Sequence, residues 1–221
     1  MDKYQSIKRA CEINDAIFRE IIKKFNFRTE KELANFILKK LKEFKLSKSF
    51  DPIVANNNSV IHPKPRNKKF ERGFCIIDFG SRYKGFCSDI TRTVFLGKAN
   101  KRERDLYNLV LSCQKGCIRK VDTGVRCKDL YYYAVKLLGK RSKFFTHSLG
   151  HGVGKKIHIR PKLGPKSSEV LRKGDIITIE PGIYIKRKGK ELGIRIEDTL
   201  QVGNKVEILT KSPKRLIEIK I

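Results

Sequence analysis

The sequence lacks an uninterrupted apolar run approaching the roughly 20 residues that a membrane helix needs, and no charged segment leads into an apolar stretch at its N-terminus. These absences argue against a membrane span and a secretory leader and predict a soluble, cytoplasmic protein. The six cysteines include no C-x-x-C pair, which excludes the usual structural zinc spacing. Cys113 and Cys117 share a helical apolar face with Leu106, Leu109 and Val110, so they read as core thiols in a reducing compartment. Gly150, Gly152 and Gly154 superficially suggest a phosphate loop, but neither G-x-x-x-x-G-K-[ST] nor G-x-G-x-x-G is present.

Acidic residues are scarce: 23 Asp and Glu face 51 Lys and Arg, a formal charge of +28 over 221 residues. Such a balance suits a phosphate-bearing partner. The basic residues are nevertheless spread along the chain, concentrated only modestly at Pro63–Arg72, Lys98–Arg104, Lys136–Lys143 and Ile185–Lys190. The reading is a generally basic solvated surface, with specific nucleic-acid binding disfavoured. The scarcity of acids makes those inside apolar segments informative.

Helical spacing of Ile7, Ala10, Cys11, Asn14, Ile17, Phe18 and Ile21 predicts an amphipathic helix over 2–25. Thr29 and Glu32 form a T-x-x-E capping box that opens a second helix through Leu33, Ile37 and Leu41. A short strand at 52–55 and an exposed loop containing His62 follow. Period-two patterns at Phe74–Phe79 and Cys87–Leu96 then predict paired strands. Helices return at 101–120 and 127–138. Strands are expected around Phe144–His147, Ile176–Ile179, Ile183–Lys186, Ile194–Leu200 and Val206–Leu209. Helices then a hairpin, twice, suggest an α+β fold of two similar halves whose sheets form one curved antiparallel sheet covered by helices.

Asp78 and Asp89 sit inside otherwise apolar strands, as do Glu180 and Glu197 in the second half. A hairpin closing about Tyr83 and Lys84 places Asp78 opposite Asp89, with Cβ atoms on the order of 5 Å apart. Buried like charges repel unless a cation lies between them. Four carboxylates carry a formal −4, which two divalent cations neutralise. His151, flanked by glycines that let backbone approach closely, offers one imidazole ligand. Such ligands favour manganese, cobalt, iron or zinc, and two such ions would activate a water against a peptide carbonyl. Taken singly, Asp89 also reads as a turn residue and Glu197 as a partner of Arg195.

Five ordered segments, Ile77–Gly80, Cys87–Thr93, His147–Gly154, Thr178–Tyr184 and Gly193–Thr199, resemble the catalytic domain of the pita-bread metallopeptidases (M24), which include methionine aminopeptidases, Xaa-Pro aminopeptidases and prolidases. The resemblance implies that Asp78, Asp89 and Glu197 hold one metal and that Asp89, His151, Glu180 and Glu197 hold the other. It further implies that Glu180 moves the proton of the water. His158 would hydrogen-bond the substrate and its developing oxyanion, His62 would be the other substrate-facing histidine, and His147 would support His151.

Asp198 stands where methionine aminopeptidases usually carry histidine, which points to the Xaa-Pro branch. Arg195 is then a candidate to fix or recognise substrate, or forms a salt bridge to Asp198 or Glu191. Residues 1–221 read as a single catalytic domain without the N-terminal domain typical of Xaa-Pro peptidases. The expected function is a dinuclear Xaa-Pro aminopeptidase or dipeptidase, monomeric or homodimeric, acting on peptides. Methionine aminopeptidase is the alternative, and a non-catalytic pita-bread binding protein associated with nucleic acid or the ribosome is another.

Overall fold

The computed structural model describes residues 2–187 and 189–221; Lys188, within the basic stretch Ile185–Lys190, lies outside them. Helix α1 (Lys3–Lys23) is capped by Asp2, whose side chain accepts from the Gln5 N–H, and buries Ile7, Cys11, Ile17, Phe18 and Ile21. Each such side chain contributes roughly 2 kcal/mol of burial. Helix α2 (Glu30–Glu43) starts at Thr29, which accepts from the Glu32 N–H. The expected capping box is shifted: the Glu32 carboxylate reaches the Arg28 N–H at 2.8 Å instead of the Thr29 N–H.

Strands β1 (Ser47–Lys48) and β2 (Ile53–Asn56) precede the long pair β3 (Gly73–Phe79) and β6 (Ile90–Leu96), which are buried throughout. Between them, β4 (Ser81–Tyr83) and β5 (Phe86–Cys87) form the hairpin end. Lys84 and Gly85 have φ of 48° and 82°, the two positive values that a type I′ turn requires. The turn is therefore centred one residue later than expected, and Asp78 pairs with Thr91, not with Asp89. The register moves by two residues, an even number, so the predicted face is preserved.

Helices α3 (Lys101–Arg119) and α4 (Cys127–Leu138) open the second half. The stretch expected as a strand near Phe144–His147 instead follows a 3₁₀ turn, Gly139–Phe144, and the next strand is β7 (Gly150–Gly152). Then come β8 (Ile159–Leu163), β9 (Ile176–Ile179), β10 (Gly182–Arg187), β11 (Lys190–Arg195), β12 (Asp198–Gln201), β13 (Glu207–Ile208) and β14 (Glu218–Ile219). The strand expected over Ile194–Leu200 is broken at Ile196–Glu197.

The two larger sheets have the orders β14-β6-β3-β2 and β13-β12-β9-β7-β8, with β1-β4-β5 forming a small third sheet and β10 and β11 paired separately. The sheets meet without sharing one ladder, and β14 joins β6 in parallel, the exception to the expected antiparallel pairing. One apolar core lies under α1 and α2, the other under α3 and α4. The halves are joined where Thr93 Oγ1 donates to Arg195 O at 2.8 Å, the Glu197 N–H to Thr91 O at 3.1 Å and Thr199 Oγ1 to Asp89 O at 2.8 Å. That seam carries the acids singled out from the sequence.

Candidate metal centre

Each of the five expected ligands sits where regular structure is tight or interrupted. Asp78 lies near the end of β3, Asp89 in the break between β5 and β6, and Glu197 in the break between β11 and β12. His151 is the middle of β7, and Glu180 follows β9, its N–H bonded to Leu149 O at 2.8 Å. A Cβ on Gly150 would fall 2.0 Å from Thr178 O and one on Gly152 2.2 Å from Arg160 O, so only glycine allows β7 this close to its neighbours.

These elements converge on one cavity of about 290 Å³, lined by all five residues together with His62 and His158. Ligand atoms of Asp89, His151 and Glu197 lie within 4.8 Å of one another. His151 Nε2 is 3.5 Å from Asp89 Oδ2 and 3.4 Å from Glu180 Oε1. Asp78, Asp89 and Glu197 are at most 6% exposed, yet Asp78 Oδ1, Asp89 Oδ1 and Glu197 Oε1 have no hydrogen-bond partner among the described residues. Burial raises Asp89 well above the usual carboxylate range, reinforced by the Asp78 and Glu180 charges. Burial does the same to Glu197, with Asp89 adding to it, and Glu180 is also raised, chiefly by burial. Unpartnered buried oxygens of like charge mark a place a divalent cation could occupy, and the oxygen-rich donor set with one imidazole fits such an ion.

The surroundings hold the ligands in place. Thr91 Oγ1 donates to Glu197 Oε2 at 2.7 Å and accepts from Arg195 Nε at 3.2 Å. Arg195, 1% exposed, spends Nη2 on Asp78 Oδ2 at 2.5 Å and Nη1 on Tyr184 Oη and Ile61 O. The suggested salt bridges of Arg195 to Asp198 or Glu191 are not formed: Asp198 pairs with Arg92 and Lys214, and Glu191 with Lys186. Nor does His147 bond His151; its ring bonds Tyr184 Oη and Ser148 O, and burial, followed by Arg195, pushes it down to about 3.

His158 stands edge-on to His151, ring centroids 4.4 Å apart, its pKa lowered by burial and then by the His151 charge. His62 is lowered by burial and then by Arg195. Both line the cavity with ring nitrogens able to donate an N–H. A larger cavity of about 740 Å³ continues from the first, sharing His62, His151, His158 and Glu180, and gives a peptide room. Sequence reading missed Thr91, Tyr184 and Arg92. The available signal was parity, since Asp89, Thr91 and Thr93 alternate along one strand direction.

The fold is that of the pita-bread metallopeptidases. Residues 5–204 match metallopeptidase family M24, and the chain belongs to that family. It is 36% identical to the Xaa-Pro dipeptidase of Pyrococcus horikoshii over 219 residues, covering 96% of this chain and 62% of that protein. The crystal structure of a Thermococcus sibiricus prolidase superposes with a TM-score of 0.93 at 35% identity, over 99% of this chain and 61% of the other. An X-Pro aminopeptidase from Thermotoga maritima gives 0.92 at 32% identity, over 98% and 63%. The chain thus spans a little over three fifths of the length of these relatives. Among the described residues no helix is long and apolar enough to cross a membrane.

Proposed function

We propose that this chain hydrolyses peptides in which proline follows the scissile bond, as an Xaa-Pro dipeptidase or aminopeptidase with two divalent ions. The observation that carries the reading is the convergence of Asp78, Asp89, His151, Glu180 and Glu197 on one cavity with three carboxylate oxygens left unpartnered. Asp78, Asp89 and Glu197 would hold one ion and Asp89, His151, Glu180 and Glu197 the other. Bound there, manganese, cobalt, iron or zinc supplies a water of lowered pKa and polarises the scissile carbonyl.

The chain's own groups do the rest. Glu180, its backbone fixed on Leu149 O at the end of β9, would accept a proton from the attacking water at a carboxylate oxygen and return it to the leaving nitrogen. His158 and His62, both lining the cavity, would donate ring N–H groups to the substrate carbonyl. Arg195 acts on the reaction through Asp78, which it orients. The Xaa-Pro preference is supported by Asp198, built into its network where the methionine branch usually has histidine, and by the relatives' names. Six buried, unpaired cysteines support a reducing, cytoplasmic setting.

Assay with added manganese or cobalt on Xaa-Pro peptides against Met-Ala-type peptides tests the reading. Cleavage of the Xaa-Pro series is expected. Cleavage of methionyl peptides alone would move the chain to the methionine branch, and absence of both turnover and bound metal would make it a binding protein.

A further inference from the structure

The segment between β2 and β3 carries His62 to the rim of the metal cavity, where Pro63, Lys64 and Pro65 also line it. Its base is tied by the Glu71 N–H to Asn56 Oδ1 at 2.8 Å and by Asn57 Nδ2 to Arg72 O at 2.9 Å, and nearer His62 by one buried carboxylate. Glu30, the first residue of α2, is 1% exposed and accepts from the Asn56 N–H at 2.8 Å and the Arg66 N–H at 2.8 Å. It also takes Arg66 Nε at 3.0 Å and Nη2 at 2.6 Å. Arg66 Nη2 donates on to Asn56 O at 2.7 Å, and the Lys31 N–H to Arg66 O at 3.1 Å. Asn56 and Arg66 bracket His62 in sequence, so one side chain ties together the backbone on either side of it.

The local needs of α2 do not explain this arrangement. Thr29 already caps the helix, and Glu32 in the same first turn stays at the exposed surface on Arg28. Glu30 instead turns inward, giving up hydration that only a full set of donors offsets. The loop has two further supports on its cavity side. Ser59 donates N–H and Oγ to Glu191 at 3.2 and 2.9 Å, and Ile61 O accepts Arg195 Nη1 at 3.0 Å. Arg195 also grips Asp78, so the residue before His62 and a metal ligand hang on one guanidinium. The clamp and these supports hold the backbone on both sides of His62, whose own side chain is exposed.

We infer that Glu30, acting through Arg66 and Asn56, is a positioning residue that holds His62 over the metal cavity. The inference rests on the reading of His62 as substrate-facing. A displacement of about 1 Å in a group that orients substrate lowers rates by up to about a hundredfold. The partners of Glu30 are Asn56 and Arg66, neither of them a residue of the metal centre.

The test is a double-mutant cycle on the manganese-loaded enzyme with an Xaa-Pro dipeptide, using Glu30→Gln, His62→Ala and the pair, with manganese affinity measured in parallel. Glu30→Gln is expected to lower kcat/KM about tenfold with manganese affinity unchanged, and to add nothing once His62 is alanine. Arg66→Ala, at a partly exposed position, is expected to behave alike and guards against a folding defect in the first variant. Multiplying losses would overturn the inference, because Glu30 would then act by another route. Amide exchange gives a readout that needs no activity: Glu30→Gln should speed exchange over 57–65 while β3 and β6 stay protected. Unchanged exchange, or a rise throughout the chain, would overturn the clamp. If His62→Ala leaves kcat/KM intact while exchange over 57–65 rises in Glu30→Gln, the clamp stands and the catalytic reading of His62 falls.

Discussion

Glu197 and Asp198 are consecutive, buried and of one chemical kind, yet they face opposite environments. Glu197 keeps one oxygen without a partner among the described residues and has its pKa raised by burial and by Asp89. Asp198 receives Arg92 Nη2 at 2.7 Å, Thr210 Oγ1 at 2.8 Å, Gln114 Nε2 at 2.8 Å and Lys214 Nζ. Burial pushes Asp198 upward as well, but Arg92 and Lys214 outweigh it and hold its carboxyl below the usual range. The chain satisfies one acid completely and leaves its neighbour wanting a cation. Arg92 joins the two sides, because its Nη1 also donates to Glu197 O.

The sharpest way to break the comparison is to delete an acid on each side. Asp89→Ala should lower turnover on the order of 10³-fold or more, several kcal/mol of lost transition-state stabilisation. The metal-free variant should melt no lower than the parent, since a buried carboxyl with an unpartnered oxygen is gone from the cluster. Asp198→Ala should do the reverse in stability, leaving Arg92 buried and uncompensated at a cost of about 3–5 kcal/mol, read by denaturant unfolding. A metal-free Asp89→Ala that unfolds as easily as Asp198→Ala would erase the distinction.

Metal removal sharpens the contrast with pH. The raised groups, Asp89, Glu180 and Glu197, keep protons in the folded state that the unfolded chain releases near pH ~4. Stability of the metal-free protein therefore falls as pH rises from that point toward the raised values. Asp198 has the opposite sign: its contribution is full above the unfolded value and is lost as pH falls through its lowered folded value. Manganese at a hundredfold excess over Kd should add about 2.7 kcal/mol per site. Melting with manganese and with chelator, from about pH 5 to about pH 8, should show the gap widening upward. A constant gap would mean that the carboxylates are not the ligands.

The same two sides were unequally legible in the sequence. Asp78, Asp89, Glu180 and Glu197 stood out because each interrupts an apolar strand, where an acid needs a specific partner. Asp198 was visible only through the family resemblance, since its donors Gln114, Thr210 and Lys214 come from remote segments without a common motif. The hairpin register was missed because turn chemistry at Lys84–Gly85, not symmetry of the apolar run, sets it. The expected strand at Phe144–His147 failed because Phe145 stacks on Tyr131 and packs edge-on to His147, so its aromatic pattern reports core packing. Strand β8 was hidden by Pro161 between the exposed Arg160 and Lys162, a residue that reads as a breaker.

The smallest effect tests whether the satisfied side behaves as separate bonds or as one unit. Lys214 is the most exposed donor on Asp198, with 19% of its side chain accessible, whereas Arg92 is 2% accessible. Lys214→Met keeps the side-chain volume and leaves Asp198 with Arg92, Thr210 and Gln114, so its loss should cost about 1 kcal/mol, as for a partly screened ion pair. Turnover should not move, because no contact of Lys214 reaches the metal cavity. A loss as large as that of Asp198→Ala, or a fall in manganese affinity, would show that the network transmits strain through Arg92 to Glu197. The boundary between the satisfied and the metal-requiring acid would then be one coupled structure.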